Sequence, residues 1–93
     1  MAIKILVPTP LRQFTGNKDS VLVEGQTVGD ALKSLCATYA PLRKHLYADD
    51  GKLRSFVNVY VNDEDIRYLQ KEATPLAAKD VVSIIPSIAG GSK

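Results

Sequence analysis

This sequence of 93 residues holds one cysteine, one histidine and no tryptophan. A single cysteine excludes an internal disulfide framework and leads us to expect a reducing, cytoplasmic setting. One cysteine and one histidine also fall short of a four-ligand zinc site, so no metal is expected. No apolar run approaches the roughly 20 residues of a membrane span. The opening MAIKILVPTPLR has a short apolar run but no small-residue cleavage site, and reads as a strand better than as a signal peptide. Charge of one sign is scarce as well: twelve basic and ten acidic residues are interspersed, for a net charge of +2. That is not the electrostatic footprint of a nucleic-acid binder. Neither GxxxxGK[ST] nor GxGxxG occurs. What remains is ordinary for a globular chain, 45% hydrophobic and 24% charged. A chain this short forms one domain and buries only about 60 to 65% of its unfolded surface, which leaves little room for a deep enzyme pocket.

Periodicity supplies the elements. Ile3-Lys4-Ile5-Leu6-Val7 is rich in β-branched residues and stops at Pro8 and Pro10, as a strand does. Residues 15–19 are turn-rich, and Ser20-Val21-Leu22-Val23-Glu24 reads as a second strand paired with the first through a long connection. Thr27 is a good N-cap with Asp30 three residues on, and Val28, Ala31, Leu32, Leu35, Cys36 and Tyr39 fall on one apolar face, which predicts a helix over 27–39. Residues 41–55 are mixed, with a turn signal at Asp50-Gly51. Residues 56–61 alternate, with Val57, Val59 and Val61 as the core row. Asn62-Asp63 turns the chain, Ile66-Arg67-Tyr68 is expected as a short strand, and residues 81–86 as the last one. The order implies an α+β roll, a mixed sheet of four to five strands on one main helix. Residues 1–86 form the domain, and 87–93 follow as a flexible tail carrying Gly90-Gly91.

One helix covers one face of a sheet. The other face is expected to present Leu6, Leu22, Phe56, Tyr60 and Ile85, with Val82 and Ile84 turned inward by alternation. Single exposed apolar residues are common, but five on one face point to a binding surface. The catalytic inventory is thin. His45 has no acidic neighbour in sequence to orient it and reads as a solvated surface residue. Cys36 on the apolar helix face reads as an inert buried thiol. Asp63, Glu64 and Asp65 can hold a cation, but with no second ligand set they read as a solvated turn. No catalytic residue is assigned. The tail has a sharper meaning: glycine lacks Cβ, so Gly90-Gly91 can extend through a narrow channel into another protein's active site. Residues 87–91 span up to roughly 17 Å, and the chain itself would be the substrate.

The residues also carry a resemblance. Phe56-Val-Asn-Val-Tyr-Val-Asn-Asp-Glu-Asp-Ile-Arg67, Thr74-Pro-Leu76 and Asp80-Val-Val-Ser-Ile-Ile-Pro-Ser-Ile-Ala-Gly-Gly91, together with Pro8-Thr9-Pro10-Leu11-Arg12 and the helix start at Thr27-Val28, resemble the ThiS/MoaD-type ubiquitin-like sulfur carriers, closest to the CysO-type carriers of cysteine biosynthesis. The resemblance covers essentially the whole chain. It implies a β-grasp (ubiquitin-like) fold and makes Gly91 the working residue, on a tail of Ile88, Ala89 and Gly90. A ubiquitin-activating-type adenylyltransferase would convert the Gly91 carboxylate, a poor electrophile, to an acyl-adenylate. A sulfur donor would then leave a thiocarboxylate. A cysteine-synthase-like pyridoxal-phosphate enzyme would accept the sulfur, and a zinc metallopeptidase would release cysteine or trim the tail. The carrier binds no cofactor; ATP, zinc and pyridoxal phosphate belong to those partners. Leu6, Phe56, Tyr60 and Ile85 would form the docking surface.

One departure from the family pattern matters. Ser92 and Lys93 follow Gly91, which therefore has no free carboxylate until they are processed off. Three other readings compete: a ubiquitin-like modifier joined to lysines through Gly91, a carrier for the molybdopterin or thiamine pathway, and an interaction module with an inert tail.

Overall fold

The computed structural model describes residues 2–54 and 57–86. Five strands form one mixed sheet: β1 (Ala2–Leu6), β2 (Ser20–Glu24), β3 (Val57–Val61), β4 (Glu64–Asp65) and β5 (Val81–Pro86), in the order β2-β1-β5-β3-β4. β1 and β2 are antiparallel, as are β3 and β5. The two halves meet where β1 runs parallel to β5, with Lys4, Ile5 and Leu6 opposite Val81, Val82 and Ser83. A parallel pair cannot be closed by a tight turn, so everything between must form the crossover.

That crossover carries the main helix, α1 (Val28–Thr38). Thr27 caps it, its hydroxyl accepting the Asp30 N–H at 3.2 Å, as the spacing predicts. Tyr39 is the C-cap, so Pro41 falls in a separate 3-10 turn, Ala40–Leu42. Val28, Ala31, Leu32 and Leu35 are fully buried against Ile3, Ile5, Val59 and Val82 from the sheet. The alternation of each strand sends the expected row inward: Val57, Val59 and Val61 from β3, Val82 and Ile84 from β5.

Three expectations need correction. The mixed stretch after Pro41 contains a short helix, α2 (Arg43–Leu46), which buries Leu46 in the core beside Leu42 of the preceding turn. The expected strand Ile66-Arg67-Tyr68 is a 3-10 turn, and the paired segment is Glu64–Asp65 just before it. The cause is local. Asn62 and Asp63 both take the left-handed backbone (φ 50° and 75°), the two-residue hairpin geometry that brings Glu64 opposite Val61. The Asp65 carboxylate then accepts the Arg67 N–H at 2.9 Å and curls the chain out of the sheet. His45 is half-buried, not solvated: its ring packs on Phe14 with centroids 4.5 Å apart.

The turn after β3 is tied to the start of β5. Asn62 donates through Nδ2 to Asp80 Oδ1 at 2.8 Å and accepts the Val81 N–H at 3.0 Å, while Asp80 Oδ2 accepts the Ala77 N–H. Gly25, between β2 and the helix cap, meets α1 so closely that a Cβ there would lie 2.7 Å from the Ala31 backbone nitrogen. Gly25→Ala is expected to destabilise the chain by about 1–3 kcal/mol, seen as a lower urea midpoint with an unchanged m-value.

Candidate functional site: the open sheet face and the end of β5

The face of the sheet away from α1 carries four of the expected apolar residues, Leu6, Leu22, Tyr60 and Ile85. Leu6 is 39% exposed, Ile85 49% and Leu22 72%; Tyr60 is half-buried. Register decides which of them meet. Leu6 lies opposite Ser83 of β5, and Ser83 lies opposite Tyr60 of β3, so the three share one row across the centre of the sheet. Ile85 stands two residues further along β5, opposite Asn58. Leu22 does not join them: it sits on edge strand β2 opposite Lys4, a row away from Leu6. The patch is therefore Leu6, Tyr60 and Ile85 around Ser83. Phe56, the fourth residue expected on it, lies outside the described residues.

Ile85 is followed by Pro86, which pairs with Val57 at the end of the sheet. The apolar patch thus adjoins the last described residue of β5. Ile88, Ala89, Gly90, Gly91, Ser92 and Lys93 also lie outside the described residues, as does the tail expected over 87–93.

Sequence reasoning missed the polar border of this patch. Arg67 reaches back from the 3-10 turn and donates to Asn58 Oδ1 at 2.8 Å, while its guanidinium grips the Asp65 carboxylate at 2.6 Å through Nη2 and 3.1 Å through Nε. Asp65 is 7% exposed, so it is not part of a solvated acidic turn with Asp63 and Glu64. The side-chain hydrogen bond from Arg67, joined by the Arg67 backbone N–H, holds its carboxyl below the usual range. The signal was present in the spacing Asp65-x-Arg67 beside an outward Asn58, but only a fold puts the three together. Burial pushes the Cys36 thiol up, with nearby Arg43 acting weakly against it, so the thiolate is disfavoured at neutral pH. Among the described residues no three His, Cys, Asp or Glu side chains gather as a metal site, and no helix is long and apolar enough to cross a membrane.

Five strands in this order on one main helix define a ubiquitin-like β-grasp protein. The ThiS family model matches residues 5–91. The sulfur carrier protein CysO of Mycobacterium tuberculosis is 42% identical over 93 residues, spanning 98% of this chain and all of the relative. Small archaeal modifier protein 3 of Haloferax volcanii is 43% identical over 93 residues with the same coverage. A chain in the crystal structure of the Amycolatopsis orientalis BexX/CysO complex superposes with a TM-score of 0.87 at 36% identity, covering 97% of this chain and 100% of that one. The chain belongs to the ThiS family.

The Asp65–Arg67 pair makes stability pH-dependent. Asp65 and Asp80 both hold their protons more weakly folded than unfolded. Their contribution is therefore full above the unfolded carboxylate pKa of about 3.9 and is lost as pH falls below it. The thermal midpoint is expected to drop on acidification from pH 5 through that value. Asp65→Asn should start lower at neutral pH and fall less steeply.

Proposed function

We propose that the chain is a sulfur carrier that presents the carboxylate of Gly91 to partner enzymes. The observation that carries this reading is full-length similarity to a sulfur carrier, at 42% identity with no part of the relative left over. The geometry supports it. β5 is held on both sides by β1 and β3, so the residues after Pro86 leave from the firm centre of the sheet. An exposed apolar patch of Leu6, Tyr60 and Ile85 stands beside that exit, where a docked partner receives the tail.

In this reading the carrier supplies a surface and a reach, and the partners supply catalysis. An adenylyltransferase of the ubiquitin-activating type uses ATP to turn the Gly91 carboxylate into an acyl-adenylate with a good leaving group. A sulfur donor displaces it to leave the thiocarboxylate. A pyridoxal-phosphate enzyme resembling cysteine synthase accepts the sulfur, and a zinc metallopeptidase completes the cycle. Gly91 has no free carboxylate while Ser92 and Lys93 remain, so their removal comes first. A role in cysteine biosynthesis is favoured over the molybdopterin and thiamine pathways by the CysO relatives. A second reading, conjugation to protein lysines through Gly91, is favoured by the likeness to a small archaeal modifier protein.

Intact mass after incubation with source-cell lysate, ATP and sulfide tests both. The expected product lacks Ser92 and Lys93 and has one oxygen replaced by sulfur. Isopeptide-linked adducts on a gel instead would establish the modifier, and an unchanged mass in a lysate that processes another carrier would reject both. Gly91→Ala should block thiocarboxylate formation and leave the thermal midpoint unchanged, since the position follows the last strand. Ile85→Asp should weaken binding to the adenylyltransferase by about tenfold or more, by placing a charge in an apolar contact. Its own unfolding should change little, because Ile85 already faces solvent.

A further inference from the structure

A cleft of about 610 Å³ opens beside β3, bounded by residues 51–54 and by the 3-10 turns after β4. It is not the outer patch. Val57 and Val59, which belong to the inward row of β3, form its floor with Leu53 and Ile66. Its rim is cationic: Lys52, Arg54 and Lys71 stand around it, and Arg67 borders it. Two carboxylates also line the cleft. Asp65 is taken by Arg67, which leaves Glu72 facing three cations. Arg54 is fixed by its Nε bond to the Lys44 carbonyl at 2.9 Å.

The backbone adds a direction. β4 pairs with Tyr60 and Val61, so among the described residues no strand lies on the outer side of the Val57–Val59 half of β3. The Asn62 N–H bonds the Val81 carbonyl at 3.0 Å, which sets the phase of the β3–β5 ladder. Asn58 and Tyr60 turn their peptide groups toward β5, and Val57 and Val59 turn theirs toward the cleft. The Val57 N–H bonds the Arg54 carbonyl at 3.0 Å. The Val59 N–H and the Val57 carbonyl face the cleft, one donor and one acceptor at the spacing a neighbouring strand uses.

We propose that this cleft docks an extended segment of a partner protein in which apolar and acidic residues alternate, added as a short strand along Val57–Val59. The backbone pair sets its register, the valine floor takes the apolar side chains, and the cationic rim takes the acidic ones. A second copy of this chain would bring one cationic rim against another. A small anion would use the rim and leave the floor and the backbone pair unmatched. The cleft and the outer patch use opposite sides of β3, so both can be occupied at once. The proposal is independent of sulfur transfer.

The test is an NMR titration of the full chain with two end-blocked peptides, one alternating valine with glutamate and the other valine with lysine. The expected result is chemical-shift change centred on Leu53, Val57, Val59 and Ile66 with the glutamate peptide alone, weakened by added salt. Lys52→Glu with Lys71→Glu should weaken it by about tenfold. Both side chains are exposed, and the milder Lys52→Gln with Lys71→Gln, which removes charge without reversing it, should give a smaller loss in the same direction. Ile85→Asp should bind as the parent does. Equal binding of the two peptides, shifts centred on Leu6 and Ile85, no shift with the glutamate peptide, or concentration-dependent shifts at Val59 without peptide would each overturn the proposal.

Discussion

The parallel pairing of β1 with β5 is the constraint on which the rest of this structure depends. Three residue pairs join the first strand to the last across nearly the whole chain. Neither the β1–β2 hairpin nor the β3–β4 hairpin buries a face alone, and isolated two-stranded hairpins are marginal in water. With β5 inserted between them, Ile3, Ile5, Val59, Val82 and Ile84 become one continuous surface for α1 to cover. Closing so long a loop costs entropy, but the cost grows only slowly with length, and the helix and short turns inside the loop bring the ends together as they form.

That pairing also fixes which surfaces are available. Among the described residues the sheet has a helical layer on one side, and its other side is uncovered. Among the described residues, the apolar side chains on the open side are arranged by register: Leu6 and Tyr60 flank Ser83, and Ile85 adjoins Pro86, which pairs with Val57. The Arg67 guanidinium, held by Asp65 and Asn58, borders this patch with a fixed charge whose partners are already chosen. The ion pair contributes through geometry more than through Coulomb energy, because an Arg side chain this exposed is screened by water.

The parts of this arrangement that were legible in the sequence are those governed by local periodicity. The valine row of β3, the Thr27 cap and the inward turn of Val82 and Ile84 follow from spacing alone, and the structure places them so. The open face was legible for the same reason: once the inward rows are known, Leu6, Tyr60 and Ile85 must point the other way. What spacing could not supply was anything set by two distant segments. The half-burial of His45 needs Phe14, thirty-one positions away by their numbers. The removal of Leu22 from the patch depends on its standing opposite Lys4 on an edge strand. The short helix at Arg43–Leu46 has too few residues to show a period. The turn at Ile66 looked like a strand because its apolar and aromatic residues suit one, while the Asp65 carboxylate that diverts the chain acts on the backbone. The strand order, with the last strand in the middle, was not legible from pattern either, because it is set by pairing between the two ends of the chain.

The central seat of β5 has a mechanical consequence. A strand at the edge of a sheet can be peeled away one hydrogen bond at a time when its end is drawn outward. β5 has neighbours on both sides, so a pull applied beyond Pro86 along the strand axis loads both ladders in shear, and their bonds must yield together. A force applied at that end therefore meets an anchor that holds, and it moves the whole domain instead of unravelling the strand.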